Sequence, residues 1–165
     1  MWLDAARYAD SKGYLDRNRD SWPYRDWVIS AFNDNIPYDR FVTKQLAGDL
    51  LPDPSMANLI ATSFLRQNRN NDEAGADDEQ FRMESAMERN AMVWSVLNGV
   101  TINCVQCHSH PYDPIQHEEY YKSLAFFNVS EDHDLPTDQP YLPVAVEDTY
   151  REEAFDLFIQ SKTLR

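Results

Sequence analysis

The order of apolar and polar positions along the chain predicts helices almost throughout. A first short helix covers about residues 1–9, with Trp2, Ala5, Ala6 and Ala9 on one side. Asp10 to Asp20 is charged, contains Gly13 and reads as a loop. Ser21 is placed to cap a helix from Trp22 to Asn33, with Pro23 in its first turn and Trp27, Ile29 and Phe32 as its apolar positions. After a turn through Asn33–Pro37, Phe41, Val42, Gln45, Leu46 and Leu50 recur at helical spacing over Tyr38–Leu51, and Pro52 and Pro54 end that helix. Ser55–Arg66 follows, apolar at Leu59, Ile60, Phe64 and Leu65.

A polar loop, Gln67–Ala76, leads into a long helix from Asp77 to about Thr101. Its acidic start, Asp77, Asp78 and Glu79, suits the positive end of the helix dipole. Phe81, Met83, Met87, Met92, Val93, Val96 and Leu97 give it an apolar surface. Beyond breaks at Pro111 and Pro114, Glu118–Asn128 is helical, with Tyr120, Tyr121, Leu124, Phe126 and Phe127. Residues 129–146 are Pro-containing and aperiodic, and a last helix runs from Glu147 to Lys162, with Tyr150, Ala154, Phe155 and Phe158 on one face. No strand pairs or repeats emerge. The expectation is an all-α, irregular domain of six to seven helices with long Pro-containing loops. Residues 1–130 form its body, and 131–165 form an extended loop and helix packed on the same domain.

At 165 residues, with 42% hydrophobic and 13% aromatic content, the chain has the material for a core and does not need a staple to fold. Its net charge of −13 is the wrong sign for binding nucleic acid. It supplies no polybasic membrane patch. An acidic surface suits solubility and would steer a basic partner toward it. The longest apolar stretch, Ala91–Val105, is interrupted by Asn98, Gly99 and Asn103, so no transmembrane segment is expected.

The chain has two cysteines, and both fall in Cys104-Val105-Gln106-Cys107-His108. This C-x-x-C-H run is the attachment signature of a c-type haem. Two thiols must add to the two vinyl groups of one porphyrin, and an imidazole must rise beneath the iron. On helical backbone, positions i, i+3 and i+4 share a face. Cys104, Cys107 and His108 are therefore expected to converge on one porphyrin face, the two thiols for attachment and His108 as the proximal iron ligand. Three rivals use the same residues. A thioredoxin-like dithiol wants a β-α-β setting that this pattern lacks. A zinc site would join Cys104 and Cys107 to two of His108, His110 and His117. A plain disulfide is the third.

Several stretches resemble successive blocks of the planctomycete cytochrome C-like domain family. They are Trp2-Leu3-Asp4-Ala5-Ala6-Arg7-Tyr8-Ala9-Asp10, Trp22-Pro23-Tyr24-Arg25-Asp26-Trp27-Val28-Ile29 and Gln45-Leu46-Ala47-Gly48-Asp49-Leu50-Leu51-Pro52. Glu79-Gln80-Phe81-Arg82, the stretch Cys104 to Pro114, and Glu119-Tyr120-Tyr121 through Asn128 continue the series. The resemblance spans about residues 1–130 in order and fades over 131–165. It implies a haem on Cys104 and Cys107 with His108 on the iron, and it leaves the reaction unassigned. The chain departs from the family pattern at Ser109, where an acid is common, at Pro111, where Lys is common, and at His117, where Gln is common. Such haem is attached outside the cytoplasm. The expectation is therefore a periplasmic or otherwise exported protein whose precursor carries an export signal absent here, the chain being a mature form or an excised domain.

The iron's sixth ligand separates electron transfer from ligand chemistry. His117 ranks first among candidates. His110 lies too close to the motif, Met83, Met87 and Met92 read as core packing, His133 reads as exposed, and an open or partner-supplied position is the alternative. Arg25, Arg82 and Arg89 are candidate donors to the haem propionates, Arg25 and Arg82 from family-like blocks. Trp22, Trp27, Trp94, Tyr112 and Tyr120 are candidate walls. The loop Asn70-Asn71-Asp72-Glu73, with Gly75, Asp77 and Asp78, is a candidate calcium site, although position 12 counted from Asn70 is Phe81 rather than Glu. The functional expectation is an electron-carrying mono-haem cytochrome working with a redox partner. A haem enzyme module with an open distal site and a zinc-stabilised interaction domain are the alternatives.

Overall fold

A computed structural model describes residues 2–11, 20–68, 77–130 and 141–163. It is all-α: among these residues there are seven α-helices and no strand. They are α1 (Trp2–Ala5), α2 (Trp22–Asn33), α3 (Tyr38–Ala47), α4 (Met56–Ala61), α5 (Asp78–Val93), α6 (His117–Asn128) and α7 (Arg151–Thr163). None of the helices is long and apolar enough to cross a membrane. The chain divides into two compact units, Met1–Tyr8 with Asn68–Pro140, and Ala9–Gln67 with Tyr141–Arg165.

The unit of residues 9–67 and 141–165 holds α2, α3, α4 and α7. On α2 the buried side chains are Tyr24, Val28 and Ala31. Ile29 and Phe32, expected on the inner face, are 49% and 59% exposed. Trp27 stacks on Phe41, ring centroids 5.4 Å apart, and Phe41 meets Phe32 at the same separation. The buried Tyr24 hydroxyl donates to Gln45 Oε1 at 2.7 Å, which satisfies the one polar side chain of α3 in the interior. Met56, Ile60 and Phe155 form a second cluster with Trp27, Leu59, Leu142 and Val144.

Local chemistry explains where these helices stop. Gly48 sits so close to the next helix that a Cβ there would lie 2.3 Å from the Asn58 carbonyl oxygen. The helix expected to reach Leu51 accordingly ends at Ala47 and tightens into a 3-10 turn, Gly48–Leu50. Ser55 caps α4 by accepting from the Asn58 amide at 3.3 Å. Ser21 does not cap α2: its backbone is already helical, and its hydroxyl makes no capping bond.

The unit of residues 1–8 and 68–140 holds α1, α5 and α6. The expected first helix ends early because Arg7 takes a left-handed backbone, φ 61°. The Tyr8 amide then closes on the Leu3 carbonyl at 2.9 Å, a Schellman stop. Asp77 caps α5 by accepting from the Gln80 amide at 2.9 Å. The run expected to stay regular to Thr101 instead widens into a π-helical turn, Trp94–Asn98, and stops at Gly99, whose φ is 68°. Such turns recur at functional sites, and this one delivers the chain to the cysteine motif. Ala86, Ile102, Val105, Ile115, Tyr120 and Leu124 are buried together, with Met83, Met87, Trp94 and Cys104 packed against them.

Candidate functional site

The motif occupies a 3-10 turn, Asn103–Gln106, that ends at Cys107. The turn exists because Val105, wholly buried, anchors it in the core while polar residues flank it. The amides of Cys107 and His108 both close on the Cys104 carbonyl, at 3.2 and 3.4 Å. Positions i, i+3 and i+4 thus share one turn of backbone, as the spacing predicts. Cys104 is half-buried, with its Sγ 4.0 Å from the Thr101 carbonyl, and Cys107 is exposed. The two thiols are not bonded to each other.

The three histidines of this stretch are prepared differently. His108 Nδ1 lies 2.8 Å from the Ser109 carbonyl. A carbonyl only accepts, so the hydrogen sits on Nδ1 and the lone pair on Nε2. His117 is fixed in the same sense: Nδ1 lies 2.7 Å from the Val105 carbonyl, and the ring stands edge-on to Tyr121 at 5.2 Å. His110 is the reverse. The amides of Tyr112 and Asp113 point at its Nδ1, at 3.3 and 2.9 Å, so that nitrogen accepts and Nε2 carries the hydrogen. Asp113 Oδ2 lies 3.2 Å from the same nitrogen, but with two N–H donors already on it this contact is not a hydrogen bond. His110 therefore shapes the loop through Pro114, whose closing bond runs from its own amide to the Ile115 carbonyl at 2.8 Å.

The start of α6 grips the motif at several points. Ser109 Oγ donates to Gln116 Oε1 at 3.2 Å and accepts from the His117 amide at 3.1 Å. Glu119 closes back on the Gln116 amide at 2.7 Å. The Tyr121 hydroxyl donates to the Gln106 carbonyl at 2.9 Å. Ser109, Gln116 and Tyr121 were not singled out from the pattern of the sequence. Tyr121 reads there as part of an apolar face, and hydrogen bonds seven to fifteen residues apart follow no helical period. The only signal was the departure at Ser109 itself. Acidic side chains rim this segment, Asp113, Glu118 and Glu119, all exposed. Lys122 beside Glu118 holds that carboxyl below its ordinary value, and Glu118 raises Lys122 in return.

The other predicted residues scatter. Arg82 grips Glu79 through two bonds, 2.8 and 2.7 Å, and donates to the Asn128 carbonyl and side chain at 3.1 and 3.0 Å. Arg89 is buried and donates to Ser130 Oγ at 2.9 Å. Arg25 belongs to the other unit, where it pairs with Asp26 at 3.0 Å and Asp10 at 3.5 Å. Trp22, under Arg151 at 5.4 Å, and Trp27 belong to that unit as well. Trp94 packs against the motif's core, Tyr120 is buried within it, and Tyr112 is 92% exposed. His133 and residues 70–75 of the calcium candidate lie outside the described residues, and Asp77 is a helix cap.

Among the described residues no group of three His, Cys, Asp or Glu side chains is placed to hold a metal ion. A tetrahedral zinc site on Cys104, Cys107 and two histidines is therefore not assembled. A haem asks something else of the protein, two separate thiols and one imidazole nitrogen, and the unpaired Cys104 and Cys107 with the Nε2 lone pair of His108 fit that demand. No curated protein and no solved structure matches the chain. The family described as PSCyt2, protein of unknown function (DUF1549), matches residues 1–132, and the chain belongs to this planctomycete cytochrome C-like domain family.

Proposed function

We infer that the unit of residues 1–8 and 68–140 is a mono-haem c-type cytochrome domain that passes single electrons to or from a partner. The observation that carries this reading is the motif turn: it presents two unpaired thiols and a histidine whose Nδ1 is already committed, which leaves Nε2 for iron. Cys104 and Cys107 hold the haem through thioethers, and His108 is the proximal ligand. The bound haem supplies one-electron chemistry, tuned by axial ligand, burial and hydrogen bonding. The protein's part is to fix the imidazole, cover one side of the motif with the Val105 core and keep Cys107 and His108 accessible. His117 is the sixth-ligand candidate, because its Nε2 carries a lone pair where that of His110 carries a hydrogen. The acidic rim and net charge of −13 favour a basic redox partner. On this reading the haem is attached, and the protein works, outside the cytoplasm.

An optical spectrum tests the reading. Protein from a host able to attach haem c should show a Soret band that survives denaturation, and Cys104→Ala with Cys107→Ala should abolish it. A colourless wild-type product from that host refutes the assignment. Carbon monoxide binding by the reduced wild type would show that His117 is not a sixth ligand.

A further inference from the structure

Ser109 is tied by three hydrogen bonds through two of its oxygens within one short stretch. Its carbonyl receives the Nδ1–H of His108, its hydroxyl donates to Gln116 Oε1, and the same hydroxyl accepts from the His117 amide. The last two bonds use the hydroxyl in both its capacities, so the rotor has no third orientation to choose. Gln116 is itself held by Glu119. The peptide that receives the imidazole hydrogen is thus braced against the first turn of α6, which packs on the buried Val105 and Tyr120 cluster. An exposed histidine such as His108 would otherwise rotate and exchange tautomers.

We propose that Ser109 is a positioning residue that holds His108 in the Nδ1–H tautomer, with Nε2 presented as a ligand, by bracing its own carbonyl through the Gln116–His117 clamp. This rests on the cytochrome reading for its consequence in the loaded protein, and on the geometry alone for the tautomer. An acid after the motif histidine would accept from the His117 amide but could not donate to Gln116 Oε1 as the serine hydroxyl does; it would need the Gln116 amide turned over to present its nitrogen. A hydrogen bond from Nδ1–H raises the basicity of the opposite nitrogen and orients the ring on its metal. With haem bound, the clamp would favour oxidised over reduced iron by keeping Nε2 of His108 a stronger donor.

The experiment measures the ring nitrogen shifts of His108 by NMR in the haem-free protein, at about pH 8 where an unperturbed imidazole is neutral. It compares wild type, Ser109→Ala and Ser109→Thr. The wild type should be mainly Nδ1–H. Ser109→Ala should lower the ratio of Nδ1–H to Nε2–H by roughly threefold, somewhat less than the loss of one whole hydrogen bond, and Ser109→Thr should restore it. In the haem-loaded protein the reduction potential should rise in Ser109→Ala and stay at the wild-type value in Ser109→Thr. A wild type that is mainly Nε2–H, or a ratio unchanged in a folded Ser109→Ala, overturns the proposal, even if the melting temperature falls. Should Ser109→Ala fail to fold, Gln116→Met decides: it keeps the serine and removes the acceptor, and an unchanged ratio there overturns the proposal. If the purified chain carries no haem, the cytochrome reading fails while the tautomer result stands on its own.

Discussion

Tyr24 and Asn90 are both fully buried polar side chains, one in each unit, and they sit in different interiors. Tyr24 stacks on Trp27, which stacks in turn on Phe41, and its hydroxyl donates to Gln45, whose amide nitrogen donates to the Phe41 carbonyl at 3.3 Å. Around Asn90 the polar groups form a chain. Ser123 Oγ donates to Asn90 Oδ1 at 2.7 Å and Trp94 Nε1 donates to the same Ser123 oxygen at 3.2 Å; separately, Ser85 of α5 accepts from the buried Asn68. Apolar contacts tolerate sliding, whereas a buried hydrogen-bond network is satisfied in one register only. These bonds tie Asn90 and Trp94 to Ser123 on α6, and the start of α6 carries the residues that grip the motif. The unit without the site keeps its buried hydrogen bonds local to Tyr24 and Gln45, and the unit with the site adds to its apolar core a buried hydrogen-bond chain between helices.

That contrast can be broken by mutation, the largest effect coming from lost volume. Phe64 is wholly buried in the unit of residues 9–67 and 141–165, and Phe64→Ala should lower its stability by about 3–5 kcal/mol in urea unfolding. Asn90→Ala strands the partners of a buried amide and should cost about 2–3 kcal/mol. A cost below about 0.5 kcal/mol, the level of an ordinary surface change, would mean that the network does not set the register. Gly48→Ala tests close approach: the new methyl meets backbone at 2.3 Å, so the loss should be about 1–3 kcal/mol, where the same exchange at an unconstrained helical site stabilises.

A smaller effect appears only in alkali. Burial pushes the Tyr120 hydroxyl above its ordinary value, with Tyr121 adding to the shift and Asn90 opposing it. The raised group contributes stability that is intact below the unfolded phenol value of about 10 and is lost as pH climbs through the folded value. Urea midpoints of the wild type should therefore fall faster above about pH 10 than those of Tyr120→Phe. Parallel curves would contradict the shift. Smallest of all, Glu118→Gln removes a wholly exposed pair with Lys122, and its effect on melting should vanish within replicate scatter once salt is added.

The all-α class and the helices over 22–33, 38–47 and 117–128 were legible because periodic apolar positions, Pro23 and the proline breaks are local signals. The caps divided: Asp77 behaves as its position suggests, while Ser21 does not, since a helical backbone at that residue turns the hydroxyl away from the first amides. The π-helical turn at Trp94–Asn98 was invisible, because its sequence keeps an ordinary helical pattern. The single turn that gathers Cys104, Cys107 and His108 was legible from their spacing. The tautomers of His108, His110 and His117 were not, because each is set by a backbone group that only the folded chain brings to the ring. Arg82 matched a family-like block, yet its guanidinium is engaged with Glu79 and Asn128.

The central claim is a covalent haem on Cys104 and Cys107, and the most direct test is the intact mass of the chain under denaturing, reducing conditions. Produced beside a known c-type cytochrome in a host that matures both, the wild type should carry the mass of one haem, and Cys104→Ala with Cys107→Ala should carry none. A bare wild-type mass, with the companion cytochrome fully loaded, would contradict the account.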